Sequence, residues 1–276
     1  MSEVGPEPAK EHAAGADPGR PEPPPAETPD HVYDHLRRLE RLFGSGVHAL
    51  DDVEQRFVAP AWRRATSGEG RWPVTITVLA AMAMQIPLPN RLAVHPRWLL
   101  LTLEALLLVG LFVANPKRIE RQSAPLRGAS IVFIGIISTA NAWSAAKLVA
   151  GLVQGREGQN ASQLLVTGGA IWLTNMIVFS LWYWELDRGG PVARANATMV
   201  YPDFLFAQMQ SPDLAPQDWE PAFIDYLYLS FTNATAFSPT DVLPLTRWAK
   251  LTMMVQSAVS LTTVALVIAR AVNTLR

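Results

Sequence analysis

Apolar positions are spread unevenly along the chain, and the unevenness predicts its parts. Residues 1–30 mix Pro, Glu, Ala and Gly with almost no large apolar side chain. Such a stretch buries too little surface to offset the entropy of ordering, so it reads as a disordered tail. Beyond Asp30, Leu36, Leu39, Phe43, Val47, Leu50, Val53 and Phe57 recur at three- and four-residue spacing with charges between them. That period predicts an amphipathic, membrane-proximal helical region over 31–72, interrupted at Gly44-Ser45-Gly46. Its apolar stripe suits a second copy of itself, a membrane surface, or the protein's own surface.

Five apolar segments follow, at 73–89, 98–114, 128–153, 165–186 and 249–273. Crossing a bilayer takes roughly 17–25 residues of helix. The first two segments sit at that lower limit and are joined by PNRLAVHPR, which predicts a helical hairpin. Trp182, Tyr183 and Trp184 close the fourth segment as an interfacial aromatic belt, and Gly189-Gly190-Pro191 supplies a helix stop. Between the fourth and fifth segments, a connection rich in Pro and Asp predicts ordered loop. Within it AFIDYLYLSF (222–231) is too short to cross and runs directly into the polar stretch TNATAFSPTDVLPLT (232–246). A short helix, a polar turn and then a full span is the order of parts in a re-entrant pore loop. Irregular backbone at membrane depth needs protein or water around it, so the turn implies a subunit interface or an aqueous cavity.

The expected fold is therefore all-α: a multi-pass helical membrane protein with about five spans and a pore-loop-like hairpin before the last. Its parts are the tail (1–30), the amphipathic region (31–72), N-terminal transmembrane helices (73–160) and a span–loop–span module (161–276).

Composition sharpens this picture in three places. The 276 residues are 49% hydrophobic and 17% charged, and the polar residues concentrate before residue 73, so the chain is written for two solvents. A formal net charge of −1, with no basic stripe, argues against nucleic acid as a partner. The absence of cysteine excludes disulfides, thiolate metal sites and cysteine nucleophiles. The N-terminus lacks the basic and apolar pattern of a secretory signal, so insertion is expected to rely on the later helices. Arg in excess of Lys and abundant Ala point to a GC-rich bacterial genome, hence to a bacterial plasma membrane.

The run YLSFTNATAFSPTDVLPLTRWAK (228–250) resembles the pore loop of bacterial two-span potassium channels, whose pattern reads approximately YFSFxTxTTVGYGDxxPxTxxxK. The two align without a gap, and Tyr228, Ser230, Phe231, Thr235, Asp241, Pro244, Thr246 and Lys250 fall on matching positions. The following helix, with Gln256, Ser257, Val264, Ala265, Ala269 and Arg270, is also similar to that family's inner helix. By arrangement the resemblance extends over 165–276. It implies a channel-like module, a homo-oligomer (a tetramer in that family) and monovalent cations as the species handled. The family's Gly-Tyr-Gly filter is replaced by Ser238-Pro239-Thr240. Side chains at both glycine positions and a fixed φ at Pro239 argue against the stacked carbonyls that dehydrate potassium. The same loop is similar to bacterial multi-span membrane proteins of unknown function that keep an SFT segment, a polar turn and an Asp before the final helix.

The candidate ion pathway is thus Thr235, Ala236, Phe237, Ser238, Pro239, Thr240 and Asp241. Its hydroxyls and carboxylate would form a ring around an oligomer axis, an arrangement that favours cations. Equally, the hydroxyls cap the short helix and Asp241 anchors the last one without conduction. Glu104 is an ionisable group inside a span; it either snorkels to the interface, as Lys147 can too, or pairs with Lys147 if their depths agree. Asn141, Asn175 and Gln256 read as hydrogen-bonding glue between helices. Glu185, Asp187 and Arg188 read as interfacial charges, and the four-apart His31 and His35 as surface histidines. The sequons at Asn160, Asn196 and Asn233 carry little weight in a bacterial host. No HExxH, Ser-His-Asp spacing or phosphate loop is present, so neither an enzyme, a cofactor nor a metal is expected.

The expected function is a weakly selective cation channel embedded in the lipid bilayer. The alternative is a non-conducting scaffold or sensor that keeps the hairpin for assembly, and a third reading is a transporter using Glu104. With five spans, counting from Arg56 on, eleven Arg and Lys fall on the N-terminal side. The other side holds five: Arg91, Arg97, Arg156, Arg270 and Arg276. This places the N-terminal side and the loop after the fourth span in the cytoplasm, opposite to where a potassium-channel loop enters.

Overall fold

The computed structural model describes residues 60–114, 124–157, 160–236 and 241–274. Contacts divide the chain into Met1–Val53 and Glu54–Arg276, and all described residues belong to the second unit. The predicted tail, most of the amphipathic region and His31 and His35 lie outside the described residues. Within 60–71 the only helix is a single 3₁₀ turn at Ala61–Arg63, so this end of the predicted helical region is not a continuous helix.

Four helices are long and apolar enough to cross a membrane. These are α2 (Arg97–Ala114), α3 (Ala124–Val153), α4 (Ala161–Leu186) and α8 (Arg247–Thr274). The first apolar segment forms a shorter helix, α1 (Trp72–Met84), with Pro73 in its first turn. It stops before Pro87 and Pro89, which cannot donate to a continuing helix. Arg97 donates to the carbonyls of Gln85, Ile86 and Leu88, satisfying the orphan groups there and tying α1 to the start of α2.

The connection from α4 to α8 holds small elements: α5 (Pro191–Ala195), β1 (Phe204–Leu205), α6 (Ala207–Gln210), α7 (Phe223–Ala236) and β2 (Leu243–Pro244). The strands pair antiparallel, Phe204 with Pro244 and Leu205 with Leu243.

Helix α4 is the hub. It touches α1, α3, α7 and α8, and 61% of its apolar window is buried against 6% for α2. Asn160 caps its start by accepting from the Gln163 N–H at 3.1 Å. Gly168 lets α8 approach closely, since a Cβ there would fall 2.7 Å from Val267 Cγ2. Just past its end, Gly190 adopts φ 100°, with the Glu185 carbonyl 3.0 Å from where a Cβ would sit. Only glycine fits that turn.

One core cluster gathers at the C-terminal end of α4, with Trp62, Tyr183, Trp184, Phe204, Phe206, Phe223 and Tyr226. A second, smaller cluster lies toward its N-terminal end, around Leu148, Leu164, Ile171 and Val267.

Candidate functional site

The short helix before the last span carries the candidate pathway, and its two faces differ in chemistry. Helix α7 follows Pro221 and is started by Asp225, whose carboxylate reaches back to accept from the Ala222 N–H at 2.8 Å. One face, Tyr226, Ser230 and Asn233, is buried. The other, Ile224, Tyr228, Phe231 and Thr235, is exposed, with Ile224 at 60%, Tyr228 at 51% and Phe231 at 45%. Spacings of four, three and four residues put these on one stripe.

The buried face is locked to α8 and α4 by a closed hydrogen-bond network. Gln256, fully buried on α8, accepts at Oε1 from the Tyr183 hydroxyl (2.6 Å) and Asn233 Nδ2 (2.7 Å). Its Nε2 donates to Ser230 O (2.9 Å) and Oγ (2.6 Å). Ser230 Oγ in turn donates to the Met176 carbonyl at 2.6 Å, and Asn233 Nδ2 also reaches Met253 O at 3.1 Å. One turn further along, Asn175 Nδ2 donates to Ser260 Oγ at 3.1 Å. Gln256 and Asn175 thus act as interhelical glue, as their placement in apolar runs suggests. Asn141 is buried beside them but makes no such bridge.

The exposed face leads to the turn. Thr235 Oγ1 donates back to Phe231 O (2.8 Å) and Thr232 O (3.3 Å). Ala236 ends the helix. Phe237, Ser238, Pro239 and Thr240 lie outside the described residues. Asp241 is exposed and accepts from the Tyr228 hydroxyl at 2.9 Å, which ties the far side of the turn back to α7. Of the predicted pathway, Thr235 and Asp241 are therefore placed on the uncovered side.

Beyond the turn, the chain is anchored at the end of α4. Leu245 N donates to Asp203 O at 2.8 Å, and Trp248 Nε1 donates to Asp203 Oδ1 at 2.9 Å. Asp203 Oδ2 accepts from the Arg188 N–H at 2.8 Å. Asp187 is fully buried; its Oδ1 accepts from Asp203 N at 2.9 Å and its Oδ2 from the Tyr226 hydroxyl at 2.6 Å. Arg188 donates to Trp62 O at 2.7 Å and lies 3.5 Å from Asp187 Oδ2. Glu185, Asp187 and Arg188, expected as interfacial charges, are instead all buried within the protein. Arg188 sits at φ 49°, a strained conformation for a side chain, and the bonds at both of its ends hold it there.

Residues 60–71 close over this end. Thr66 N donates to Ala195 O at 2.8 Å, and half-buried Glu69 accepts from Trp184 Nε1 at 2.7 Å and from the Phe223 N–H. Burial raises the Glu69 carboxyl above the ordinary range, opposed by those two hydrogen bonds.

Glu104 neither pairs with Lys147 nor snorkels out. Glu104 is fully buried and both its oxygens accept from Gln85 Nε2, at 3.1 and 2.9 Å. Lys147 is exposed, its ammonium 4.8 Å from the Trp143 ring centroid. The partner is nearer in sequence because α1 and α2 form a hairpin that brings Gln85 alongside α2. No group of three or more His, Cys, Asp or Glu gathers among the described residues. Comparison with known protein families, curated proteins and solved structures finds no match to this chain.

Proposed function

We propose that this chain is a multi-pass integral membrane protein whose C-terminal module (α4, α7, the turn and α8) re-enters the bilayer. Copies of the module, four by the channel resemblance, surround an aqueous path that passes cations with weak selectivity. The observation that carries this reading is how the first two turns of α7 run along α4. Phe223, at the start of α7, stacks edge-on with Trp184 at 5.9 Å. Phe231, two turns later, meets Trp172 at 6.4 Å. Twelve residues separate Trp172 from Trp184, about 18 Å along a helix. The chain then returns to pair β2 with β1 beside the end from which it left. A helix of 14 residues is about 21 Å long, short of the roughly 30 Å hydrocarbon core. Descent and return on one side supports the pore-loop reading.

Chemistry on the exposed stripe supports a wet or subunit-covered surface. The exposed Asp241 carboxylate, to which the Tyr228 hydroxyl donates, is a charge that lipid would not solvate. The Ser238-Pro239-Thr240 sequence argues for weak rather than potassium-specific selection. The hairpin enters from the side that residues 60–71 share with the end of α4. By charge counting this is the cytoplasmic side, so the module is inverted relative to the family it resembles.

The scaffold reading has one observation in its favour: Ser230 and Asn233, on the resembling run, are consumed by internal hydrogen bonds. Flux in proteoliposomes separates the two. The pore reading expects sodium and potassium flux above empty liposomes, reduced in Asp241→Asn. Folded protein that gives no flux leaves the scaffold.

A further inference from the structure

Between α3 and α8, over α4, lies an open groove of 450 Å³ with mostly apolar walls. Ala142 and Ala146 are exposed four residues apart on the α3 wall, as are Ala258 and Thr262 on the α8 wall. Small residues at that spacing let a further helix approach closely. The polar groups lining the groove are of two kinds. Ser138 accepts from Trp182 Nε1 at 2.9 Å and Asn175 donates to Ser260 Oγ at 3.1 Å, so both have partners. Asn141, 8% exposed, and Thr263, 2% exposed, do not. No described residue bonds the Asn141 amide, and Thr263 Oγ1 is buried without a hydrogen bond.

A primary amide facing hydrocarbon is costly until something bonds it. An acyl chain would cover the alanines and leave the Asn141 amide bare. A helix carrying a polar side chain satisfies both, and this chain has such a helix to spare. Only 6% of the α2 window is buried, and Thr102, Leu106, Val109 and Val113 form one exposed stripe along it. Depth matches as well. Leu100 on α2 and Asn141 on α3 line the same small cavity, and Thr102 lies two residues, about 3 Å, beyond Leu100. Rotation about an axis along the membrane normal keeps depth, so it carries Thr102 of one copy to the level of Asn141 in the next. Trp98, one turn before Thr102 and 68% exposed, brings an indole N–H toward the end of the bundle where Leu92 packs with Val267, one turn from Thr263.

We propose that α2 of one copy docks in the α3–α8 groove of the next, with the Thr102 hydroxyl bonding the Asn141 amide. The contact is head-to-tail, helix into groove, so its repetition around an axis closes a ring in which every groove is filled. The proposal rests on the reading of this chain as a membrane homo-oligomer. The first measurement therefore addresses that reading alone: the mass of the full-length protein in mild detergent, by light scattering. An oligomer is expected, and a monomer overturns the oligomeric reading and the docking with it.

The docking itself is read by cross-linking, since the chain has no cysteine of its own. Thr102→Cys and Ala142→Cys chains carrying different tags are co-expressed, and oxidation in membranes should join the two tags in one band, a link that needs Cα atoms within about 7 Å. Ala146→Phe, on a wall that is open in the single chain, should release folded monomers, with helical content unchanged by circular dichroism. Asn141→Leu and Thr102→Val should each weaken the oligomer about threefold, the worth of one interhelical hydrogen bond in a membrane, and no further when combined. An oligomer that gives no link between the tags, or that Ala146→Phe leaves whole, overturns the docking. Phospholipid retained by the unlinked protein and displaced by Ala146→Phe would give the groove to a lipid instead. Losses that multiply in the double variant would overturn the Thr102–Asn141 pairing.

Discussion

Replacing Gln256 by Leu keeps volume and apolar fit on α8 but removes all four hydrogen bonds of its amide. The Tyr183 hydroxyl, on a fully buried side chain, loses its acceptor. An orphaned buried polar group costs about 1–3 kcal/mol. The other three bonds, at about 0.6 kcal/mol each inside membrane proteins, add about 2 kcal/mol. Asn233 and Ser230 keep the Met253 and Met176 carbonyls, so they are weakened rather than orphaned. The expected loss is therefore about 3–5 kcal/mol, read from equilibrium unfolding in mixed detergent micelles. Tyr183→Phe alone should cost about 1 kcal/mol. In the Tyr183→Phe background Gln256→Leu should cost about 1–3 kcal/mol less than in wild type, because no hydroxyl is stranded. A Gln256→Leu protein within 0.5 kcal/mol of wild type, or strictly additive single variants, would refute the idea that this network holds α7 against α8.

Three further outcomes follow from the same geometry. Gln85→Leu strands the Glu104 carboxyl and should destabilise by about 1–3 kcal/mol, whereas Lys147→Gln should stay within about 0.5 kcal/mol in the same unfolding assay. Gly168→Ala forces a Cβ against Val267 and should cost about 1–3 kcal/mol, recovered in part by adding Val267→Ala. Glu69 takes up a proton on folding, since its folded carboxyl titrates above the unfolded one. Wild-type stability should thus fall as pH rises from the ordinary carboxylate value through the raised one, and Glu69→Gln should flatten that slope.

Long apolar runs were legible because a span needs length and composition, both of which are local. The segments at 98–114 and 128–153 correspond to α2 and α3 within a turn at each end. Proline placement also signalled the short first helix. Partner choice was not legible, because it depends on which helices lie side by side. Glu104 finds Gln85 across a hairpin rather than Lys147, and nothing in the spacing of either residue reveals it. Charges at the end of α4 misled for a related reason. Asp187 and Arg188 follow Trp182, Tyr183 and Trp184, which read as an aromatic belt where interfacial charge is the ordinary outcome, yet Tyr183 and Trp184 are themselves buried in the core. Residues 60–71, Asp203 and Tyr226 fold over them from 15 to over 100 positions away. Helical period also accounts for how the resembling run divides. Ser230 and Asn233 face inward to Gln256, while Tyr228, Phe231 and Thr235 face outward, a division that follows from helical period alone.

The chain lacks cysteine, so a single Cys placed at Thr235 reports the solvent on the outer face of α7 without background. The account predicts that Thr235→Cys in intact membranes is modified by a charged, membrane-impermeant thiol reagent, while Leu106→Cys on the exposed flank of α2 is not. Protection of Thr235→Cys from that reagent, together with modification by a lipid-soluble one, would contradict an aqueous path along α7.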